Sequence, residues 1–287
     1  MISVIGIGTG PSAIAEKFTA VPQYDVYQLN DKVTRNSKKK YKLKSFKTPE
    51  EYEKNVPNLK KFFETLHEHV HVFIMGTSYS SNYSLGILEQ IKNKKIDVFY
   101  IKPDIELVTG ERRLIENVTF GVLQEYARSG LFSSLTVFSN LQIENSLGSV
   151  LIKGYHDTLN SSIFSAVHYL NYFTHSDPEI GQVAKPAEVN RIRSIGALNT
   201  INLEEKWFFE LDVERELCYY LCINEERLSG EGTLHRKIVD MLKKKPSNAF
   251  RKISYAIYET PHNDFGYVVA HTNTIQQQNT LDKLGQE

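Results

Sequence analysis

The chain has 287 residues, 41% hydrophobic and 11% aromatic, enough for one large or two modest cores, and 34 basic residues balance 34 acidic ones. That balance excludes an overall field attracting nucleic acid or acidic membranes, so either would need a local patch. No apolar run approaches the roughly 18 residues of a membrane helix, and Met1-Ile2-Ser3-Val4 enters a strand without a basic leader, so a cytoplasmic protein without a membrane segment is expected.

Strand-like runs recur at 2–6, 24–29, 40–46, 70–75, 96–101 and 134–138, mostly separated by helix-period stretches, which predicts a largely parallel sheet covered by helices. The first run enters Gly6-Ile7-Gly8-Thr9-Gly10-Pro11-Ser12, a strand-to-helix turn able to present backbone N–H groups and a helix N-terminus to an anion. Without a ligand the same turn is simply a tight connection.

Residues 32–47 carry Lys32, Arg35, Lys38, Lys39, Lys40, Lys42, Lys44 and Lys47. Lys40, Lys42 and Lys44 alternate with Tyr41, Leu43 and Ser45, the pattern of an edge strand that buries one face and discourages unwanted pairing. Edge protection is the preferred reading; contact with nucleic acid or an acidic partner is the second. Pro49-Glu50-Glu51 opens a helix with acids in its first turn, and Val56, Leu59, Phe62, Phe63 and Leu66 are expected to form its apolar stripe. His67, His69 and His71 straddle a helix end and a strand start, so they need not converge on a metal, and no metal site is expected.

After the strand at 70–75 comes Gly76-Thr77-Ser78-Tyr79-Ser80-Ser81-Asn82, a second strand-to-helix turn with hydroxyls where a phosphate loop would carry glycines. Ser and Asn here can equally cap a helix start. A helix follows Glu111, with Leu114, Val118, Val122 and Tyr126 at spacing four as its expected apolar face. Residues 162–173 are apolar almost all round, the mark of an enclosed helix. Beyond it are expected a helix near 186–198 opening at Pro186, strands near 206–211 and 217–223, a helix near 231–245, and strands at 253–258 and 266–271, forming a second, smaller α+β unit. Cys218 and Cys222 read as reduced core thiols, and Tyr255, Tyr258 and Tyr267 as packing residues.

The order of these pieces resembles the tubulin/FtsZ superfamily of self-assembling GTPases, over about residues 1–275. Val4-Ile5-Gly6-Ile7-Gly8-Thr9-Gly10 is similar to its opening strand and turn. Ile101-Lys102-Pro103 followed by Thr109-Gly110-Glu111-Arg112-Arg113 resembles its fifth strand and the loop into its fifth helix. Val137-Phe138-Ser139-Asn140 resembles the strand end that offers an Asn to guanine, and Ala187-Glu188-Val189 the acid-bearing segment that reaches the nucleotide of the next subunit. The altered loops and compact length are also similar to those of divergent viral, phage or plasmid members.

The resemblance implies an α/β fold: a Rossmann-type, mostly parallel domain over 1–158, a central helix and following loop over 159–184, a smaller mixed-sheet domain over 185–275, and a mobile tail over 276–287. It requires the strands beginning at Val4 and Val70 to be neighbours at one rim. It implies that Gly8, Thr9, Gly10 and Ser12, with Gly76, Thr77, Ser78 and Ser80, would hold the phosphates of GTP or GDP, and Mg²⁺ would arrive with them. Arg113 would face the ribose, Asn140 and Asn160 would read the base, and Glu188 would be the remaining catalytic acid.

Three departures point to fading chemistry. After Gly76 the loop carries Thr77-Ser78-Tyr79-Ser80-Ser81-Asn82 in place of glycines, Thr109 stands where a ribose-binding Glu is usual, and Lys185 stands where the family places its other acid. A cation cannot polarise the attacking water, although Asp177 and Glu179 lie a few residues upstream. The expected function is self-assembly with like subunits or incorporation into a larger protein assembly, with GTP bound weakly or lost. The alternatives are an active filament-forming GTPase and a Rossmann-type dinucleotide enzyme, with which the opening turn is compatible, although Asp31 lies a little beyond the second strand and no catalytic constellation accompanies it.

Overall fold

The computed structural model describes residues 1–104, 108, 110–246 and 251–277. The chain forms two compact units, Met1–Thr136 together with the stretch from Asn273, and Val137–Thr272. The first comprises β1 (Ile2–Ile7), α1 (Thr9–Lys17), β2 (Tyr24–Asn30), β3 (Lys40–Lys42), α2 (Pro49–Lys54), β4 (His69–Met75), α3 (Ser84–Gln90), β5 (Lys95–Lys102) and α4 (Glu111–Ser129), and β6 (Ser134–Ser139) leads out of it.

Its strands lie in the order β3-β2-β1-β4-β5, each pair parallel. Val4 pairs with Val26 on one side and His71 on the other, so the strands that begin near Val4 and Val70 are neighbours. Val4, Ile5, Ile7, Val72, Phe73, Ile74 and Val98 are fully buried. Burial on both faces is what a helix-covered parallel sheet demands, and each such side chain contributes about 1.5–3 kcal/mol.

Two local expectations for this unit are corrected. α2 ends at Lys54 although its start is well made: Thr48 and Glu51 form a capping box. Pro57 forbids helical backbone in the residue before it, so Leu59, Phe63 and Leu66 are buried from turns and not from a helical stripe. α4 exists, but its buried face is Ile115, Thr119, Phe120, Leu123 and Ala127, while Leu114 and Val118 are 63% and 57% exposed. The spacing-four set had the right period on the wrong face. The tail expected to be mobile from 276 begins with a residue that is pinned: Gln276 is buried, its N–H donates to Gln124 Oε1 at 2.7 Å, and Gln124 Nε2 donates back to its carbonyl. Residues 278–287 lie outside the described residues.

The second unit follows with α5 (Asn140–Leu147), α6 (Tyr155–Thr174), β7 (Ile180–Gln182), β8 (Ile192–Leu198), β9 (Glu205–Trp207), β10 (Glu216–Asn224), α7 (Glu225–Gly230), α8 (Leu234–Lys243), β11 (Lys252–Thr260) and β12 (Phe265–Thr272). Its strands run β8-β12-β10-β11-β7, with β9 on β8; β10 and β11 are parallel and the other pairs antiparallel. Leu234, Ile238 and Leu242 of α8 pack with Leu217, Tyr219, Leu221 and Ile223 on one face. The opposite face meets the end of α6, where Phe173 stacks on Tyr220 at 5.0 Å and lies 4.8 Å from Tyr258. Of the enclosed stretch expected over 162–173, Ile163, Ala166, Val167 and Phe173 are buried and the others half-buried, except Tyr172, which is 47% exposed, so α6 is covered over most but not all of its circumference.

The helix expected near 186–198 is a correction: residues 192–198 are strand β8, whose Ile192, Ser194, Ile195 and Leu198 are buried against β12. β-Branched Ile192 and Ile195 favour the pleated surface, and Pro186 opens only a loop. Cys218 and Cys222 are buried free thiols, and burial pushes them up to about 11 and about 12, so neither is a nucleophile near neutral pH.

Because Leu123 is fully buried and Leu114 is exposed, Leu123→Ala should lower the free energy of unfolding by about 2–5 kcal/mol. Leu114→Ala should change it by no more than about 0.5 kcal/mol. Urea denaturation of the two variants checks the facing of α4, and the reverse ranking would refute it.

Candidate functional site

The strand order reverses at β1: the chain moves outward to β2 and β3, then returns to lay β4 on β1's other side. At such a switch point the loops after the two central strands leave the sheet at their carboxyl ends and open a crevice between them. The loops concerned are Gly8–Ser12 and Gly76–Asn82, and they touch. A Cβ built on Gly8 would lie 3.3 Å from Ser78 Oγ and from Ser80 Cβ.

Glycine is required in the first loop for two reasons. At Gly6 a Cβ would fall 2.6 Å from the Pro11 carbonyl oxygen, so only glycine lets the turn fold back on its strand. Gly8, at φ +101°, caps α1 without a side chain, leaving the first N–H groups of the helix uncapped, and the first turn holds no acid. Pro11 removes one of those donors, so Thr9 and Gly10 carry the N–H groups that point from the helix end.

Ser12 stands apart from this rim. Its hydroxyl donates to Gly6 O at 3.2 Å and accepts from Asn30 Nδ2 at 2.9 Å, a buried structural role. Thr9 donates its hydroxyl to Asp31 Oδ1 at 3.3 Å, which places a carboxylate beside the helix end.

The second loop reaches the same rim by a different route. Thr77 adopts φ +62°, the left-handed region that glycine occupies freely and a β-branched residue enters at a cost of about 1–3 kcal/mol. Tyr79 stacks on Tyr52 with planes 9° apart, under the guanidinium of Arg112 at 5.4 Å. The hydroxyls of Thr77, Ser78 and Ser80 engage no protein group among the described residues, while Ser81 ties back to the Ser78 carbonyl. Asn82 Nδ2 and Ser84 Oγ are buried without a partner. Beside Gly10 the space is taken by Met75, whose methyl would lie 2.8 Å from an added Cβ.

Gly76 is the one glycine the second loop keeps. A Cβ there would meet Tyr100 Oη at 2.6 Å and Glu116 Cγ at 2.8 Å. Beneath it lies a buried polar group of three: Tyr100 donates to Glu116 at 3.3 Å, Lys102 Nζ sits 3.3 Å from the same carboxylate, and Lys102 lies 4.2 Å over the Phe120 ring. Burial, with Glu116 beside it, holds the Tyr100 hydroxyl well above the usual phenol range, so it stays a donor.

The other expected site residues are distributed between the units. Arg113 lies half-buried in the first turn of α4, and Thr109 lies outside the described residues. In the second unit, Asn140 is the half-buried first residue of α5, which Ser139 caps, and Asn160 is half-buried on α6. Glu188 and Lys185 are exposed on the loop before β8. That loop is fixed by Glu216, whose carboxylate accepts from Ala187 N at 2.8 Å and Asn190 Nδ2 at 3.1 Å. His71 faces Asp97 and His67 faces Asp25, so the histidines do not converge, and no group able to hold a metal occurs among the described residues. A cleft of about 750 Å³ in the second unit is rimmed by Ile201, Lys206, Arg227 and Asp264, but Arg227 and Asp264 neutralise each other.

No family model and no curated protein matches the chain by sequence. Solved structures match it by shape. The GDP-form protofilament of TubZ from Bacillus thuringiensis serovar israelensis superposes at TM-score 0.70 with 12% identity, covering 94% of this chain and 86% of that one. An empty FtsZ dimer from M. jannaschii gives 0.68 at 12% identity, covering 94% and 88%, and CetZ from Methanosaeta thermophila strain DSM 6194 gives 0.62 at 11%, covering 99% and 88%. The chain has the tubulin/FtsZ fold.

Within the tubulin/FtsZ fold, the Tyr100–Glu116–Lys102 group was invisible to sequence reasoning that assigned α4 the wrong face. Its signal was a lone Glu among Ile115, Thr119, Phe120 and Leu123, where an acid must find a buried partner. Replacing Thr77 with glycine should relieve the left-handed strain and raise the free energy of unfolding by about 1 kcal/mol, after the glycine's own entropy is deducted. Urea denaturation reads this directly; a loss of stability would show that Thr77 makes contacts worth more than its strain.

Proposed function

We propose that this protein is a self-assembling subunit of the tubulin/FtsZ type, with GTP or GDP bound weakly and hydrolysis slow or absent. The observation that carries the reading is the remodelled crevice at the β1/β4 switch point. It keeps an uncapped helix end and three unengaged hydroxyls, yet Met75 lies against Gly10 and Thr77 holds a strained backbone where glycines would open the way. Assembly is supported by a fold shared with proteins solved as protofilaments and as a dimer.

The residues present fit phosphate in part. Thr9 and Gly10 would offer backbone N–H groups, and Thr77, Ser78 and Ser80 would offer hydroxyls; Asn82 Nδ2 and Ser84 Oγ, later in the same stretch of chain, are buried donors without partners. Each hydrogen bond to a charged oxygen is worth about 1.5–3 kcal/mol. Asp31 opposes an anion at the helix end unless a divalent cation such as Mg²⁺ comes with the phosphates. Ser12, engaged with Gly6 and Asn30, is left out of this set. Glu188, exposed beside Lys185, would be the only acid of its loop available to a neighbouring subunit's nucleotide, which supports slow turnover.

The test is sedimentation and light scattering of the purified chain over a wide concentration range, with and without GTP, alongside thermal shift with GTP, GDP, ATP and NAD. Assembly should depend on protein concentration without requiring nucleotide. A ligand at its dissociation constant stabilises by only about 0.4 kcal/mol, against about 2.7 kcal/mol at a hundredfold excess, so millimolar GTP should give a small shift. Met75→Ala combined with Thr77→Gly should enlarge that shift. A strict monomer at every concentration would remove the assembly reading, and fast GTP-dependent polymerisation would replace it with an active GTPase.

A further inference from the structure

The lysine-rich segment lies on the edge strand that its alternation predicts, but edge protection accounts for only part of its charge. A row of edge lysines protects a strand whose outward N–H and C=O groups would otherwise template another chain. β3 is such an edge, bonded to β2 on one side. Three of its outward groups, however, are already taken. Lys40 N donates to Ser37 Oγ at 3.0 Å, Lys42 N donates to Asn36 Oδ1 at 2.7 Å, and the Lys40 carbonyl accepts from Ser37 N at 2.8 Å. The turn at Asn36–Ser37 blocks the edge without help from the lysines.

What remains is charge. Between Lys32 and Lys47 there are eight Lys and Arg and no Asp or Glu, in a chain whose charges cancel as a whole. Lys32, Arg35, Lys38, Lys40, Lys42, Lys44 and Lys47 are exposed. Only Lys39 is drawn inward, paired with Asp25, while Lys32 lies 4.0 Å from Asp31. Lys32, Arg35 and Lys40 also rim a cleft of about 330 Å³ whose floor includes Gln28 and Asn30.

We propose that the β3 edge, residues 32–47, is a docking surface for the phosphate backbone of duplex nucleic acid. The proposal rests on observations separate from the assembly reading. An acidic peptide adding as a strand is disfavoured because the edge is already blocked. A membrane surface is disfavoured because none of the exposed large apolar side chains lies in this segment, leaving nothing to insert. Stacking on single-stranded bases is disfavoured because Tyr41 and Phe46 turn inward onto Phe62 and Tyr52.

A second copy of the chain offers no acidic stretch of matching density. The six acids of 204–216 are interleaved with Lys206 and Arg215; Glu205 and Glu214 are held by Lys245 and Arg251, and Glu216 by the Ala187 loop. Lysines on a strand, without a platform for bases, match sequence-independent contact with phosphates.

Fluorescence anisotropy of a labelled 30-base-pair duplex with the full chain tests this. Binding at 50 mM salt should fall steeply as salt rises, with a log–log slope of about −4 for four or five phosphates. Charge reversal in K40E/K42E/K44E should weaken binding more than tenfold and flatten the slope by about 3, and the milder K32Q/R35Q/K38Q should weaken it also. Reversal of three exposed lysines of the second unit, K153E/K243E/K244E, should matter far less, with circular dichroism confirming that each variant is folded. Four results would overturn the proposal: no binding at 100 µM protein, equal losses in both triple-reversal sets, preference for phosphatidylserine vesicles over duplex, or loss of self-association with duplex binding unchanged in K40E/K42E/K44E.

Discussion

The parallel placement of β4 beside β1 is the constraint on which the rest of the first unit depends. Six consecutive pairs, from Ile2 with His69 to Ile7 with Ile74, fix the register. A slip of one residue would turn Val70, Val72 and Ile74 to the opposite face of the sheet. Once the register is set, the loops that follow Ile7 and Met75 must leave the sheet at the same rim. Gly8 against Ser78 and Ser80 is a consequence of that pairing, independent of whether anything binds there.

The two loops solve one geometric problem with different chemistry. The first uses glycine where a side chain would strike backbone, at Gly6, and where φ is positive, at Gly8. The second keeps glycine only at Gly76, over the buried Tyr100–Glu116–Lys102 group, and places Thr77 in the left-handed region. A buried ion pair seldom adds much net stability, but losing one partner strands a charge at a cost of about 3–5 kcal/mol. Position 76 is therefore fixed from below by that group, while Thr77, Ser78 and Ser80 have hydroxyls that engage no protein group among the described residues. The pattern of one retained glycine followed by hydroxyls is what such a division would leave.

The sheet was readable because burial on both faces writes itself as apolar runs: the strands at 2–6, 24–29, 70–75 and 96–101 each grow by only a residue or two in the structure. Helices were less readable because their facing depends on partners. In α4 both Leu114-Val118-Val122-Tyr126 and Ile115-Thr119-Leu123-Ala127 recur at helical spacing, and only packing decides that the second is inside. Ile192–Leu198 carries an apolar pattern short enough for either element, and Pro186 suggested a helix start where a loop tied to Glu216 stands. The glycine turn announced itself in sequence. Met75 over Gly10, the orphaned Asn82 and Ser84 atoms, and the engaged hydroxyl of Ser12 depend on contacts between distant segments and left no local trace.

The β3 edge shows why a residue's evident role in sequence and its role in the fold can separate. Alternating lysines on a short strand have an adequate explanation as protection, and the half-buried Tyr41 and buried Leu43 between them agree with it. Protection, however, is needed only where outward N–H and C=O groups are open, and Asn36 and Ser37 occupy three of them first. The turn is built from residues that bond readily to nearby backbone. With that need met locally, the density of like charge remains a cost in mutual repulsion that the fold does not require. A surface that concentrates repulsion without structural gain is best understood through what it attracts, and seven exposed cations within residues 32–47, on and beside the edge strand, attract a partner with regularly spaced negative charge.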